Sequence, residues 1–121
     1  MDYIVVDTSS IVYATAHKRD LCEILLVGMG LRAVVSSGVF RELRTIGSGR
    51  GSDSGSARAG AVLLKNHGVK VINNNSYVDI WIEEYALRHR LPVCTNDTKL
   101  KKRLRAEGLS VFSVSSDGKI R

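Results

Sequence analysis

The sequence predicts an α/β fold in which helices cover both faces of a central, parallel, five-stranded sheet. Five short apolar runs rich in β-branched residues alternate with longer segments in which apolar residues recur at helical spacing. The runs are mostly apolar, and YIVV entirely so, which is typical of strands buried on both faces. Strands that alternate with helices favour a parallel sheet with its helices outside.

The five predicted strands are the apolar runs themselves. They are YIVV at 3–6, RAVVS at 32–36, VKVI at 69–72, PVCT at 92–95 and LSVFSV at 109–114. Each is too short for a helix of typical length, and valine and isoleucine favour extended backbone.

Helices are predicted in the intervals between the strands. The first begins at the helix-starting residues 7–10 and runs through Ala16, and the second is capped by Asp20 and ends near Gly30. The others span 36–46, 57–66, 77–90 and 97–107. The segment GSGRGSDSGS at 47–56 is rich in glycine and serine, so we expect a flexible connection that is too polar to pack.

Length and composition favour one globular domain spanning residues 1–121, since apolar residues make up 44% of the chain. The N-terminus has no basic stretch before an apolar core, so neither a signal peptide nor membrane association is expected, and the predicted location is cytoplasmic. Cys22 and Cys94 are expected to be buried, reduced thiols. His17, His67 and His89 fall at helix ends without the spacing of metal ligands.

A net charge of +6 and a pI of about 9.6 favour an anionic partner, most commonly nucleic acid. Much of this charge lies in the predicted helix 97–107. Its basic residues, which are candidates for RNA binding, are Lys99, Lys101, Lys102, Arg103 and Arg105. They surround the helix except along Leu100 and Leu104, so some of them would flank a site and others would face solvent.

Four of the twelve acidic residues fall at or near the carboxyl end of a predicted strand, where open α/β sheets bind ligands. They are Asp7, Glu42, Asp79 and Asp97. Each also has a structural interpretation: helix caps at 7 and 97, a capping box between Ser76 and Asp79, and a solvated surface acid at 42. Clustered carboxylates repel one another unless a cation neutralises them, and Mg²⁺ uses a few carboxylates and leaves room for a phosphate.

Four segments around these acids resemble the motifs of PIN-domain ribonucleases. They are VVDTSSIVYA at 5–14, GVFREL at 38–43, SYVDIWIEEYA at 76–86 and VCTNDTKLKKRL at 93–104. Thr95 and Asp97 match the Thr-x-Asp pattern of the fourth motif, and Ser9 stands where the family often has asparagine. The segment 96–114 is most similar to the archaeal and ribosomal-RNA-processing branch, and the toxin branch is also similar.

The resemblance implies a three-layer α/β/α fold with strand order 3-2-1-4-5 and Mg²⁺- or Mn²⁺-dependent cleavage of single-stranded RNA. It places Asp7 and Asp97 at the centre of a metal site, with Glu42 and Asp79 as further metal-binding and catalytic residues. Thr8, Ser9 and Thr95 become candidates for hydrogen bonds to the carboxylates or the scissile phosphate, or for a purely structural role at helix starts.

The resemblance also implies partners beyond the RNA strand. PIN proteins often form homodimers, and the two branches point to a ribosomal precursor or to an antitoxin. A second function remains open at this stage, namely a PIN-fold module that binds RNA in ribosome assembly with little or no cleavage.

Overall fold

The structure is a computed structural model that describes residues 2–121. Its strands are β1 (Tyr3–Val6), β2 (Arg32–Ser36), β3 (Lys70–Ile72), β4 (Val93–Cys94) and β5 (Val111–Phe112). Its helices are α1 (Thr8–Ala16), α2 (Leu21–Met29), α3 (Ser37–Ser48), α4 (Ser54–His67), α5 (Val78–His89) and α6 (Thr98–Ala106).

The strands form one parallel sheet in the order β3-β2-β1-β4-β5, which confirms the predicted fold class and strand order. In the central strand, Val5 is in register with Val34 on one side and with Val93 on the other. All three valines are fully buried, because helices cover both faces of the sheet. The central position of β1 places the residue that follows it, Asp7, between two neighbouring strand ends.

The order of the strands also sets the layer in which each helix lies. From β1 to β3 the chain moves across the sheet in one direction, and from β3 through β4 to β5 it moves in the other. Since crossovers between parallel strands are right-handed, α1–α4 cover one face and α5 and α6 cover the opposite face. Contacts among α1, α3 and α4, and an ion pair between α5 and α6, agree with this three-layer arrangement.

The predicted bounds of the connection at 47–56 are wrong, because α3 continues to Ser48 and α4 begins at Ser54. Gly47 is buried against α4, and Nη1 of Arg58 donates a hydrogen bond to its carbonyl oxygen at 2.6 Å. A Cβ atom on Gly47 would lie 2.8 Å from Cγ of Arg58. Glycine in this segment therefore permits close helix packing, and only residues 49–53 connect the two helices.

Several predicted helix ends are confirmed. Asp20 caps α2 by accepting a hydrogen bond from the backbone N–H of Glu23, and α2 ends at Gly30 in the left-handed conformation. The predicted capping box at Ser76 is wrong. Tyr77 occupies the N-cap position of α5 without a side-chain cap, and Oδ1 of Asp79 accepts a hydrogen bond from the N–H of Ile80.

The two cysteines are buried and unpaired, as predicted. Burial raises the pKa of Cys22 to about 12 and that of Cys94 to about 11, so both thiols stay protonated at neutral pH. The three histidines lie at the ends of α1, α4 and α5. Within residues 2–121, no helix has the length and apolar character needed to cross a membrane.

Candidate active site

An open cleft of about 920 Å³ lies where β1 and β4 end. All four acids predicted from the sequence line it, together with two of the three predicted hydroxyl residues. These side chains are Asp7, Glu42, Asp79, Asp97, Thr8 and Ser9. The third, Thr95, is fully buried beneath the cleft and contacts Asp7 through its hydroxyl group. Four segments that are distant in sequence thus meet at one edge of the sheet.

Asp7 occupies the N-cap position of α1, but its carboxylate makes no cap hydrogen bond. Its Oδ2 atom instead accepts hydrogen bonds from Oγ of Ser9 at 2.8 Å and from Oγ1 of Thr95 at 2.7 Å. The interpretation of Asp7 as a helix cap is therefore wrong. The hydroxyl groups of Ser9 and Thr95 orient the carboxylate at the cleft, and a backbone hydrogen bond from Thr8 adds to them.

The charge of Asp7 is poorly compensated by the protein. The side chain is only 7% exposed, and burial raises the pKa of its carboxyl group. The hydrogen bonds from Thr95 and Ser9 oppose this shift of the pKa, and the nearby charge of Asp97 adds to it. Within residues 2–121, no lysine, arginine or histidine forms an ion pair with Asp7. A buried anion that lacks a cationic partner suits a bound cation.

Asp97 combines its predicted structural role with a place in the cleft. Its Oδ1 atom accepts hydrogen bonds from the backbone N–H groups of Lys99 and Leu100, which caps α6. Its own N–H donates to Oγ1 of Thr95 at 3.1 Å. Thr95 therefore contacts both Asp7 and Asp97, and it holds the ends of two neighbouring strands in a common hydrogen-bond network.

Glu42 is positioned by the first residue of α1. Oγ1 of Thr8 donates a hydrogen bond to Oε1 of Glu42, across 34 positions of sequence. This bond joins α1 to α3 at the mouth of the cleft, so Glu42 is exposed, as the structural alternative expects, and is also held by a side-chain hydrogen bond. The hydroxyl group of Thr8, which lies close to the end of β1, thus orients the carboxylate of Glu42, which lies in the helix after β2.

Asp79 contacts a basic side chain that the sequence had assigned to RNA binding. Its Oδ2 atom lies 3.8 Å from Nη2 of Arg103, and Nε of Arg103 lies 3.4 Å from Oε1 of Glu83. The side chains of Asp79 and Arg103 are about half exposed, so water and salt screen this pair. Asp79 is therefore less available to a ligand in the cleft than Asp7, because Arg103 and solvent compete for its carboxylate.

The acids share the cleft without forming a compact set of ligands. Within residues 2–121, no three Asp, Glu, His or Cys residues come close enough to hold a metal ion together. The chemistry of the set nevertheless fits a hard divalent cation, since every donor is an oxygen and Mg²⁺ needs only one or two carboxylates beside its waters and a phosphate. Asp7 and Asp97 are the pair best placed for this role, because the charge of one acts on the other.

Comparison with known proteins agrees with this architecture. A family described as "PIN like domain" matches residues 4–116. The chain belongs to the PIN-like domain family. The structure of the PIN domain endonuclease Utp24 is similar to it with a TM-score of 0.79 and 26% identity, over 98% of this chain and 89% of that chain.

A second solved structure shares the fold of this PIN-like chain. It is a domain of a functionally unknown protein from Methanocaldococcus jannaschii, with a TM-score of 0.63 and 14% identity, over 95% of this chain and 92% of that one. None of the curated proteins compared with the chain matches it. The predicted family is confirmed, and the protein has the fold of a PIN nuclease.

The five basic residues predicted to bind RNA lie outside the cleft of this PIN-like domain. Nζ of Lys101 donates to Oγ of Ser113 at 2.8 Å, and Nη2 of Arg105 donates to the carbonyl oxygen of Val111 at 2.9 Å. These two side chains attach α6 to the chain around β5. Lys99 and Lys102 are exposed, and their contribution to RNA binding stays a prediction.

The cleft also contains polar residues that the sequence analysis did not select. Arg41 lines it and donates hydrogen bonds to the carbonyl oxygen of Asn74 at 2.6 Å and to Oγ of Ser37. Asn96 accepts a hydrogen bond from Oγ of Ser10 at 2.8 Å, and its Nδ2 atom donates one to the carbonyl oxygen of Val114 at 2.9 Å. Arg41 is adjacent to Glu42 in sequence, and this adjacency is the feature of the sequence that could have placed Arg41 near the cleft.

Proposed function

We propose that this PIN-like protein is a Mg²⁺- or Mn²⁺-dependent endoribonuclease that hydrolyses phosphodiester bonds of single-stranded RNA. The observation that carries the proposal is Asp7, a buried carboxylate that two hydroxyl groups orient in a cleft with three further acids, and that has no cationic partner among the described residues 2–121. Membership of the PIN-like family and the net charge of +6 support a nucleic acid as the substrate.

In this mechanism the four acids divide metal binding and orientation of the nucleophile among them. Asp7 and Asp97 would hold the ion, Asp79 would support it or a second ion, and Glu42 would bind the ion through water or orient the nucleophile. When bound, a divalent cation lowers the pKa of a water ligand and neutralises charge that develops on the phosphate. Ser9 and Thr95 keep Oδ2 of Asp7 in place, and Ser9 itself accepts a hydrogen bond from the N–H of Asn96 at 3.0 Å. Serine thus orients Asp7 at the position where the family often has asparagine.

The proposal is tested by removing the charge of either central acid. Asp7→Asn and Asp97→Asn should each abolish Mn²⁺- or Mg²⁺-dependent cleavage of a labelled single-stranded RNA while the circular dichroism spectrum stays unchanged. Glu84→Gln on α5 is the matched control, because it removes one exposed carboxylate outside the cleft. Full activity in either aspartate variant would overturn the assignment of the metal site.

Thermal unfolding gives a readout that does not depend on turnover. Burial raises the pKa of the Asp7 carboxyl group, so its ionised form disfavours the folded state at neutral pH. Asp7→Asn should therefore raise the Tm in EDTA. Added Mn²⁺ should stabilise the wild-type protein by about 2.7 kcal/mol when its concentration is 100 times the Kd, and this stabilisation raises the Tm. The Tm of Asp7→Asn should not change when Mn²⁺ is added. An equal response of both proteins to Mn²⁺ would contradict the role of Asp7.

Two observations favour a second candidate, a PIN-fold module that binds RNA in ribosome assembly without cutting it. Within residues 2–121 no three acids converge on one point, and Asp79 is paired with Arg103. The discriminating measurement is multiple-turnover cleavage of single-stranded RNA by the isolated protein with Mn²⁺ or Mg²⁺. RNA binding without turnover in either metal would favour the second candidate.

The biological role of the protein can be identified from the RNA that it cleaves. Cleavage of a ribosomal precursor at a defined position would support ribosomal-RNA processing, the role that the resemblance of segment 96–114 favours. Inhibition by a small protein encoded beside this one would support a toxin with its antitoxin. Size-exclusion chromatography with light scattering would test the expected homodimer.

A further inference from the structure

The cleft extends well beyond the acids. Residues of α1 line it from Thr8 to His17, and residues of α3 line it from Arg41 to Ile46. At 1.5 Å of rise per residue, the first of these walls is about 14 Å long. A cation and one phosphate occupy only part of that length, so the cleft has an outer part that the proposed chemistry does not use.

The wall of the outer part contains an aromatic pair. The ring centroids of Tyr13 and His17 are 4.4 Å apart with an angle of 35° between the planes. Nδ1 of His17 lies 2.9 Å from the carbonyl oxygen of Tyr13 and donates to it, which fixes the imidazole ring. Val12, Ala16 and Ile46 give the same cleft an apolar lining. A fixed aromatic surface on an apolar wall suits a flat ring such as a nucleobase.

The exposed carboxylate of Asp53 lines the same cleft. Asp53 follows α3 and occupies the N-cap position of α4, but its side chain makes no cap hydrogen bond. Within residues 2–121 it takes part in no side-chain hydrogen bond and no ion pair. A free carboxylate can accept hydrogen bonds from the N–H groups at the edge of a base.

We propose that the outer part of the cleft is a base-binding subsite of the RNA strand. One nucleobase stacks on the ring pair of Tyr13 and His17, and Asp53 accepts hydrogen bonds from its edge. Guanine fits best, since its N1–H and its amino group are neighbouring donors that match the two carboxylate oxygens, whereas uracil offers a single N–H. The substrate class rests on the proposed ribonuclease function, and the subsite adds a preference for one base beside the scissile phosphate.

Binding measurements in EDTA separate this inference from catalysis. The probes are a fluorescein-labelled ten-nucleotide oligouridine and ten versions that each carry one guanosine, followed by fluorescence anisotropy. Guanosine at one position, or at two adjacent positions, should tighten binding by about tenfold, within the range of 1–3 kcal/mol for a good contact to a base edge. Equal affinity for all eleven oligonucleotides would overturn the preference whether or not the protein cleaves RNA.

Variants identify the side chains responsible. Tyr13→Ala should weaken binding of every oligonucleotide by about tenfold, as expected for loss of one stacked base, and Tyr13→Phe should bind like the wild type. Asp53→Ala should remove the guanosine preference and leave oligouridine binding at least as tight. Unchanged affinity of Tyr13→Ala, or a guanosine preference that survives in Asp53→Ala, would overturn the corresponding contact.

The chain offers matched controls for both contacts. Tyr85 and His89 form a second pair at the same spacing on α5, with ring centroids 4.3 Å apart, and neither residue lines the cleft. His89→Ala should leave RNA affinity unchanged, whereas His17→Ala should weaken it. Glu84→Ala removes the same charge as Asp53→Ala and should preserve the guanosine preference. Equal effects of His17→Ala and His89→Ala on RNA affinity, or of Asp53→Ala and Glu84→Ala on the guanosine preference, would attribute the change to general charge or packing. Either result would overturn the subsite.

Discussion

Asp7 and Asp97 both follow a strand and precede a helix, yet the protein uses them differently. The carboxylate of Asp97 caps its helix by accepting hydrogen bonds from two backbone N–H groups, whereas that of Asp7 makes no cap hydrogen bond and accepts hydrogen bonds from the hydroxyl groups of Ser9 and Thr95. The difference depends on Thr95 and Ser9, which come together with Asp7 only after β4 pairs with β1. Local sequence favours a cap at both positions, and tertiary contacts decide which carboxylate is free for another ligand.

Thr95 offers a test of how the two central acids are held. Its hydroxyl group donates to Asp7 and accepts from the N–H of Asp97, and the side chain is fully buried. Thr95→Val removes both bonds at nearly constant volume, so it should cost about 1–3 kcal/mol of unfolding free energy. It should also weaken Mn²⁺ binding by about 10–100-fold, as is typical when a residue that orients a ligand is lost.

Calorimetric titration with Mn²⁺ and urea unfolding measure the two effects. Thr95→Ser keeps the hydroxyl group and loses only a methyl group, so it should bind Mn²⁺ like the wild type. Wild-type Mn²⁺ affinity in Thr95→Val would show that the hydroxyl group does not support the site.

The acids of the candidate site could be predicted because strand ends of a parallel sheet meet at one edge. Arg41 and Asp53 could not be predicted in the same way. Arg41 reaches the cleft from the first turns of α3, and Asp53 reaches it because α3 and α4 are longer than the sequence suggests. Both positions depend on helix packing, which periodicity in one sequence does not record.

At the scale of elements, the start of α6 serves stability and chemistry together, and two substitutions separate these roles. Asp97→Asn keeps a good N-cap and should leave stability near the wild-type value. Asp97→Ala loses the cap and should destabilise the protein by about 1 kcal/mol. Both variants should lack metal-dependent cleavage, because neither retains a carboxylate.

Asp20→Ala is the matched control for the cap, since Asp20 caps α2 and does not line the cleft. It should lose stability and keep activity. Urea unfolding and an RNA cleavage assay on the same samples provide both readouts. Cleavage by Asp97→Asn at the wild-type rate would show that Asp97 serves only as a helix cap.

Glycines set the distance between α4 and its neighbours. A Cβ atom on Gly60 would lie 2.7 Å from Cγ2 of Ile11, across the contact between α4 and α1. Gly60→Ala should therefore destabilise the protein by about 1–3 kcal/mol through overpacking. This loss exceeds the gain of up to about 1 kcal/mol that alanine brings to a helix.

Gly55 provides the comparison within the same helix. A Cβ atom at this position meets only the end of Arg58, at 3.9 Å, so Gly55→Ala should be neutral or stabilising. Urea denaturation of the two variants measures the contrast. Equal stability of both would show that helix propensity, and not contact with α1, governs these positions.

The packing of Gly47 explains why the predicted bounds of the connection at 47–56 were wrong. A glycine- and serine-rich segment is typical of a mobile connection, and composition alone favours that interpretation. In the folded chain, Gly47 is buried and its carbonyl oxygen binds Arg58. The packing partner follows the segment in sequence, and the hydrophobic pattern does not reveal it.

At the scale of the whole molecule, alternation of strands and helices was enough to predict a covered parallel sheet, because the three central strands β1, β2 and β4 are apolar and buried along most of their length. It was not enough to order the strands, since several orders satisfy the same alternation. The order 3-2-1-4-5 came from the resemblance to PIN-domain proteins, and the sheet confirms it. Where each acid lies depends on that order, which brings the ends of β1 and β4 together.

Much of the net charge of +6 lies in α6, and salt dependence can show whether this helix contributes to RNA binding beyond the effect of total charge. Lys99 and Lys102 are exposed, and in the described part of the chain their side chains form no ion pair. Each phosphate contact to a single strand adds about 0.7 to the slope of log K against log salt. Replacing both lysines with alanine should therefore flatten the slope by about 1.4.

Lys65→Ala combined with Arg88→Ala is the matched control, because it removes the same charge from exposed positions on α4 and α5. Anisotropy titrations of a labelled oligouridine at several salt concentrations measure both slopes. If α6 contacts the RNA, only the first double variant changes the slope. Equal changes in the two would mean that the RNA responds to total charge, and a slope unchanged by loss of Lys99 and Lys102 would exclude them as phosphate contacts.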